Sequence, residues 1–109
     1  MSDAPWSATI ALDDLAEHRG ARVTFDEQPV MLYRDGDRIW AIGARCTHQG
    51  APLDRGIVKV GGSLVTVTCP AHGSMFNLES GAVVRGPAPA PVVSYEVRIT
   101  DGTIEMRPR

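Results

Sequence analysis

Several common functions are excluded by what this sequence lacks. In 109 residues it has only two cysteines and three histidines. No apolar run approaches the length that spans a bilayer. There is no glycine-rich dinucleotide fingerprint, and no facial triad of two histidines and a carboxylate for a mononuclear iron. The chain is therefore expected neither to take hydride from NADH nor to activate oxygen, and so not to be an enzyme in its own right. Its length leaves room for one domain, residues 1–109, with a modest core and no second catalytic unit. A formal net charge of -2 gives no electrostatic reason to bind nucleic acid or an anionic membrane. One disulfide is the obvious use of two cysteines in a secreted protein. Met1 to Trp6, however, has neither a basic start nor an apolar run, so a soluble, cytoplasmic protein is expected.

What is there is concentrated between Arg45 and Phe76. Both cysteines and two of the histidines fall in two matched stretches, Cys46-Thr47-His48-Gln49-Gly50-Ala51-Pro52-Leu53 and Cys69-Pro70-Ala71-His72-Gly73-Ser74-Met75-Phe76. Two thiolates and two imidazoles suit either one tetrahedral zinc or an iron-sulfur cluster of mixed ligation. A single residue separates Cys46 from His48, which makes closing both onto one zinc awkward, because chain-local zinc pairs usually leave about two to four. Cys69 and His72 satisfy either arrangement. With two irons the difficulty disappears, since Cys46 and Cys69 can hold one and His48 and His72 the other. A structural zinc module remains the alternative. The third histidine, His18, stands among charged neighbours beside Gly20 and reads as a solvated surface side chain.

The pattern Cys-x-His followed by Cys-x-x-His, with glycine soon after each histidine, resembles the Rieske family of [2Fe-2S] proteins. The likeness continues through Asn77-Leu78-Glu79-Ser80-Gly81 and Arg85-Gly86-Pro87-Ala88. Trp40-Ala41-Ile42 and Tyr95 to Glu105 are similar to the flanking strands of Rieske-type ferredoxins. The resemblance implies one [2Fe-2S] cluster on Cys46, His48, Cys69 and His72, supported by Gly50, Gly73, Ser74 and Pro87. It further implies a monomeric one-electron carrier between a flavin-dependent reductase and a terminal oxygenase of aromatic hydrocarbon catabolism, both docking near His48 and His72. A small redox subunit of nitrite reductase, or a carrier for a cytochrome P450 or another monooxygenase, is the second reading. Ser74 stands where family members often carry a serine whose hydroxyl bonds a bridging sulfide, and a loop serine bonding its own backbone fits equally well. Residues 49–68 make a longer spacer than is usual in the family, which a hairpin around Gly61-Gly62 would absorb.

The rest of the chain reads as short strands punctuated by glycine and proline, with no long helical period, which predicts an all-β, antiparallel class. The implied fold is a Rieske fold, an antiparallel β-sandwich base with a small cluster-binding subdomain of two loops, about residues 44–87, at one end. Strands are expected at 6–12, 22–26, 30–33, 38–42, 57–60, 63–68, 82–85, 92–99 and 103–106. Gln28-Pro29 splits the second from the third, and strong turns fall at Asp35-Gly36-Asp37 and Asp101-Gly102. One helical turn is expected at Asp13 to His18. Trp6 and Trp40 read as core or rim packing. The run Gly86-Pro87-Ala88-Pro89-Ala90-Pro91 resembles the loop that covers one side of the cluster.

Mixed ligation has a direct electrostatic consequence. Two ferric ions, two sulfides and two thiolates sum to zero charge, whereas an all-cysteine cluster starts two units more negative. Adding an electron to the neutral centre is easier, which raises the potential to roughly -150 to +300 mV across the class. Gly50 and Gly73 would let the loops turn back and aim amide N–H groups at sulfur. In respiratory members the positions matching Ala51 and Ala71 are a cysteine pair that ties the loops, and the position matching Phe76 is a tyrosine bonding a cysteine ligand. Their absence implies a potential near the bottom of the range, roughly -150 mV, suited to electrons from a flavin.

Overall fold

The computed structural model describes residues 4–109. Ten strands follow one another: β1 (Ser7–Ala11), β2 (Ala21–Phe25), β3 (Gln28–Asp35), β4 (Arg38–Gly43), β5 (Ile57–Gly61), β6 (Leu64–Thr68), β7 (Met75–Asn77), β8 (Val83–Arg85), β9 (Ser94–Thr100) and β10 (Thr103–Pro108). Single 3-10 turns occupy Leu12–Asp14 and Leu53–Arg55. All pairing is antiparallel. One sheet has the order β1-β10-β9-β4-β3-β2, and a smaller one the order β5-β6-β7-β8. The smaller sheet is built entirely from chain lying between β4 and β9. Among the described residues no helix is long and apolar enough to cross a membrane.

Tight turns set the register. Thr100 faces Thr103, leaving Asp101 and Gly102 as a two-residue turn with φ of 50° and 77°, the twist that matches two antiparallel strands. Gly62-Ser63 joins β5 to β6 with Gly62 at φ 55°, so the long spacer is taken up by a hairpin, as expected. The β2–β3 turn corrects the sequence expectation. Phe25 faces Gln28, so the chain reverses at Asp26-Glu27, two non-glycine residues with φ of 48° and 65°. Gln28 and Pro29 belong to β3. Proline is tolerated there because Pro29 lies beyond the last β3–β4 pair, Val30 with Gly43, where no ladder N–H is required. Its carbonyl accepts the Ala44 N–H at 3.0 Å.

β3 and β4 are buried on both faces, and their alternation feeds two cores. Val30, Leu32 and Ala41 join Leu15, Tyr95, Ile104 and Met106, with Ile10 and Phe25 packed alongside. Ile10 lies on one edge strand and Phe25 on the other. The Phe25 ring meets Tyr95 of β9 edge-on at 5.4 Å. The large sheet therefore curls onto itself, forming both layers of the sandwich base. The opposite faces, Met31, Tyr33, Trp40, Ile42 and Ala44, pack against Leu53, Val65, Val67, Phe76, Leu78 and both cysteines. Fully burying one such leucine or phenylalanine contributes about 1.5–3 kcal/mol. The cysteines are thus held by the same packing that joins the small sheet to the base.

Candidate metal centre

Cys69 directly follows β6, and Cys46 follows β4 after Ala44-Arg45. The loops that begin at them are closed by the same two bonds. Cys46 N–H donates to Ala51 O at 2.9 Å and Gly50 N–H to Cys46 O at 2.7 Å. Cys69 N–H donates to Ser74 O at 2.7 Å and Gly73 N–H to Cys69 O at 3.2 Å. The equivalent positions are therefore the glycines, each at the same offset from its cysteine, with φ of 75° and 77°. A side chain at that φ would be strained. The histidines differ by one position relative to this frame. Even so, their rings meet edge to face, with centroids 4.9 Å apart and planes at 84°.

Sulfur lies inside and nitrogen outside. Cys46 and Cys69 are free thiols, 2% and 3% exposed. His48 is half-buried and His72 exposed. Burial pushes the Cys46 thiol up, and its hydrogen bond to Cys69 and the charge on that neighbour push the same way. The backbone N–H groups of His48 and Gln49, which bond its sulfur, oppose the rise. Two adjacent buried sulfurs cannot both be anionic without a cation between or beside them, which a bound metal would supply. The donor set therefore fits a [2Fe-2S] group, with two soft ligands on the protein side and two imidazoles on the solvent side.

The run from Gly86 to Pro91 is fastened to both loops. The fully buried Ser74 hydroxyl accepts the Ala88 N–H at 3.0 Å, and the Thr47 hydroxyl donates to Ala90 O at 2.6 Å. Ser74 thus bonds backbone fourteen residues away rather than its own loop. Ala88 is buried in the same apolar cluster as both cysteines, while Pro87, preceded by a cis peptide bond, is exposed. Arg85 donates to Gly73 O from Nη2 at 3.1 Å and from Nε at 3.4 Å. Thr47 and the contact between Arg85 and Gly73 were not singled out by the sequence. Arg85 reaches Gly73 only because β8 pairs with β7, setting Met75 against Arg85, and a three-residue strand has no readable period.

His18 is exposed, as expected, with Nε2 2.9 Å from Asp35 Oδ1. Trp40 is buried beside Tyr33, with the Arg38 guanidinium 4.6 Å from its ring centroid. The Arg98 and Arg107 guanidinium groups each lie 4.3 Å from the centroid of the Trp6 ring. Both tryptophans are packing residues.

The family model of the Rieske-like [2Fe-2S] domain matches residues 5–107. The chain is 32% identical over 103 residues to the anthranilate 1,2-dioxygenase ferredoxin subunit of Burkholderia cepacia, covering 94% of this chain and 92% of that protein. The ferredoxin of carbazole 1,9a-dioxygenase from Nocardioides aromaticivorans IC177 is similar in structure, with a TM-score of 0.86 and 29% identity, covering 97% of this chain and 100% of that one. A Mycobacterium tuberculosis protein described as an NADH-dependent nitrite reductase small subunit gives a TM-score of 0.82 at 30% identity, covering 96% of each chain. A match along nearly the whole chain, on loops that present two thiols and two imidazoles together, means that this protein belongs to the Rieske-like [2Fe-2S] family.

Proposed function

We propose that this chain is a one-electron carrier of a multicomponent oxygenase. Cys46 and Cys69 hold one iron of a single [2Fe-2S] cluster and His48 and His72 the other, within a cluster-binding unit of about residues 44–87. The observation that carries the reading is the meeting of two congruent loops, with adjacent buried thiols on the inside and imidazoles 4.9 Å apart on the outside. When bound, the cluster supplies a centre that accepts and returns a single electron.

The residues of the chain define where that exchange takes place. The apolar cluster around Cys46 and Cys69 keeps water from the sulfurs, while Ser74 and Thr47 hold the proline run over the loops. The outer edges of His48 and His72 face solvent, so a flavin-dependent reductase and a terminal oxygenase take turns at one face. The oxygenase as partner is supported by relatives that are themselves dioxygenase ferredoxin subunits. The nitrite reductase small subunit is the second reading, favoured by a structural likeness of nearly the same quality. The two readings differ in partner and not in carrier chemistry.

The test has two stages. Purified chain should contain two irons and two acid-labile sulfides, with a visible spectrum that bleaches on one-electron reduction. One zinc without sulfide would end the reading. Added to a flavin-dependent reductase and a terminal oxygenase, the chain should restore hydroxylation, and with a chemical reductant but no oxygenase it should form no product. Restored nitrite reduction in place of hydroxylation would move the protein to the second reading.

A further inference from the structure

Charge is distributed unevenly along the chain. Residues 44–87 carry Arg45, Arg55, Lys59 and Arg85 against Asp54 and Glu79, a balance of +2. The whole chain is -2, so the remainder carries -4. The structure sharpens this contrast. Asp54 is taken by Arg22, whose Nε and Nη2 donate to it at 3.1 and 2.8 Å. Glu79 lines a separate recess with Arg38 and Arg109. Arg45 and Arg55 are exposed and enter none of the ion pairs among the described residues. Together with Arg22 they line a recess of about 580 Å³ whose wall includes Gly50, two residues beyond His48. Arg85 spends its donors on the Gly73 carbonyl beside His72, which leaves its charge uncompensated.

We infer that these arginines form a basic collar on which an acidic patch of a redox partner docks. The collar brings that partner to the imidazole edges, and this rests on the electron-carrier reading. Charges farther away than a Debye length, about 8–10 Å at ordinary salt, are screened, so a partner at the loops meets the local arginines rather than the net charge of the chain. Guanidinium groups pair with protein carboxylates in a planar, two-pronged geometry. A polyanion long enough to extend past the collar, such as a nucleic acid, would meet the negative remainder of the chain.

The sign of the local field can be read with a charged oxidant. The cluster-loaded, reduced chain is mixed with ferricyanide, a trianion, while salt is lowered from about 1 M to about 0.1 M, which lengthens screening from about 3 Å to about 10 Å and keeps the distant negative charge screened. A positive collar accelerates oxidation severalfold as salt falls over this range, although the protein as a whole is negative. Poly-L-glutamate, standing in for an acidic protein surface, should slow the reaction at low salt. An R45Q/R55Q double variant with an unchanged visible spectrum should lose most of both effects, and each single variant should weaken them. Oxidation that slows as salt is removed, or a double variant that behaves like wild type, would overturn the inference. A chain that holds two irons and bleaches but shows the wrong salt slope refutes only the docking surface. Failure to hold the cluster refutes the carrier reading itself.

Discussion

Replacing Ser74 by alanine removes the hydroxyl that fastens the proline run to the second loop from inside the core. Ser74 is fully buried and Ala88 is 8% exposed, and the bond between them is 3.0 Å long. The bond itself is worth about 0.5–1.5 kcal/mol net, but its loss leaves the Ala88 N–H buried without an acceptor, a penalty of about 1–3 kcal/mol. The oxygen deleted is too small to open a cavity, so the orphaned amide dominates. In a chain of roughly this size, each kcal/mol lowers Tm by about 4–8 °C, so S74A should melt at least about 4 °C below wild type. The contrast is T47V, which deletes the bond to Ala90 O at the exposed end of the same run. Water can replace that donor, and the cost should stay below about 1 kcal/mol. Urea and thermal unfolding of the cluster-loaded proteins give both values. A Tm unchanged in S74A, or a loss in T47V that equals or exceeds it, would refute the claim that burial of this bond holds the proline run.

Gly81 has φ 80°, and a Cβ there would run into the Val92 carbonyl oxygen while Val92 N–H donates to Gly81 O. G81A should therefore cost about 1–3 kcal/mol or more in urea unfolding, and a loss of only a few tenths would mean that the contact yields easily. F76Y should raise the reduction potential by giving a cluster sulfur a hydroxyl bond, and an unchanged potential in voltammetry would show that the hydroxyl does not reach it. The Glu105 carboxyl is held below the usual carboxylate range by Arg98 and the Thr100 hydroxyl. Its support for the fold is thus present at neutral pH and lost as pH falls through the depressed value. The Tm gap between wild type and E105Q should accordingly close in acid, and a gap that widened there would reverse the assignment.

How far the sequence could be read depended on the range of the interaction involved. The cysteines and histidines were legible because each pair lies within a few residues, and the Asp35-Gly36-Asp37 and Asp101-Gly102 turns because glycine marks them. The Asp26-Glu27 turn was hidden, since two acidic residues with positive φ carry no turn signature. That misplaced the break at Gln28-Pro29. β7 has three residues, and without it neither the Arg85–Gly73 contact nor the place of Phe76 between Val67 and Val83 could be seen. Nothing local in the sequence marks Gly81 as a site of close approach, because its contact with Val92 is made only when the chain returns from the proline run. Gly50 and Gly73 were legible as a pair from their place just after each histidine, and the backbone bonds show that they also stand at the same offset from their cysteines.

The assignment of both imidazoles to iron is tested most directly by pulsed electron paramagnetic resonance of the reduced protein, grown with nitrogen-15 in its histidines. Two histidine nitrogens should couple strongly to the unpaired electron, with one lost in each of H48C and H72C wherever a cluster still assembles. A cluster signal without coupled histidine nitrogen would contradict the ligation of His48 and His72 and, with it, the electron route through their exposed edges.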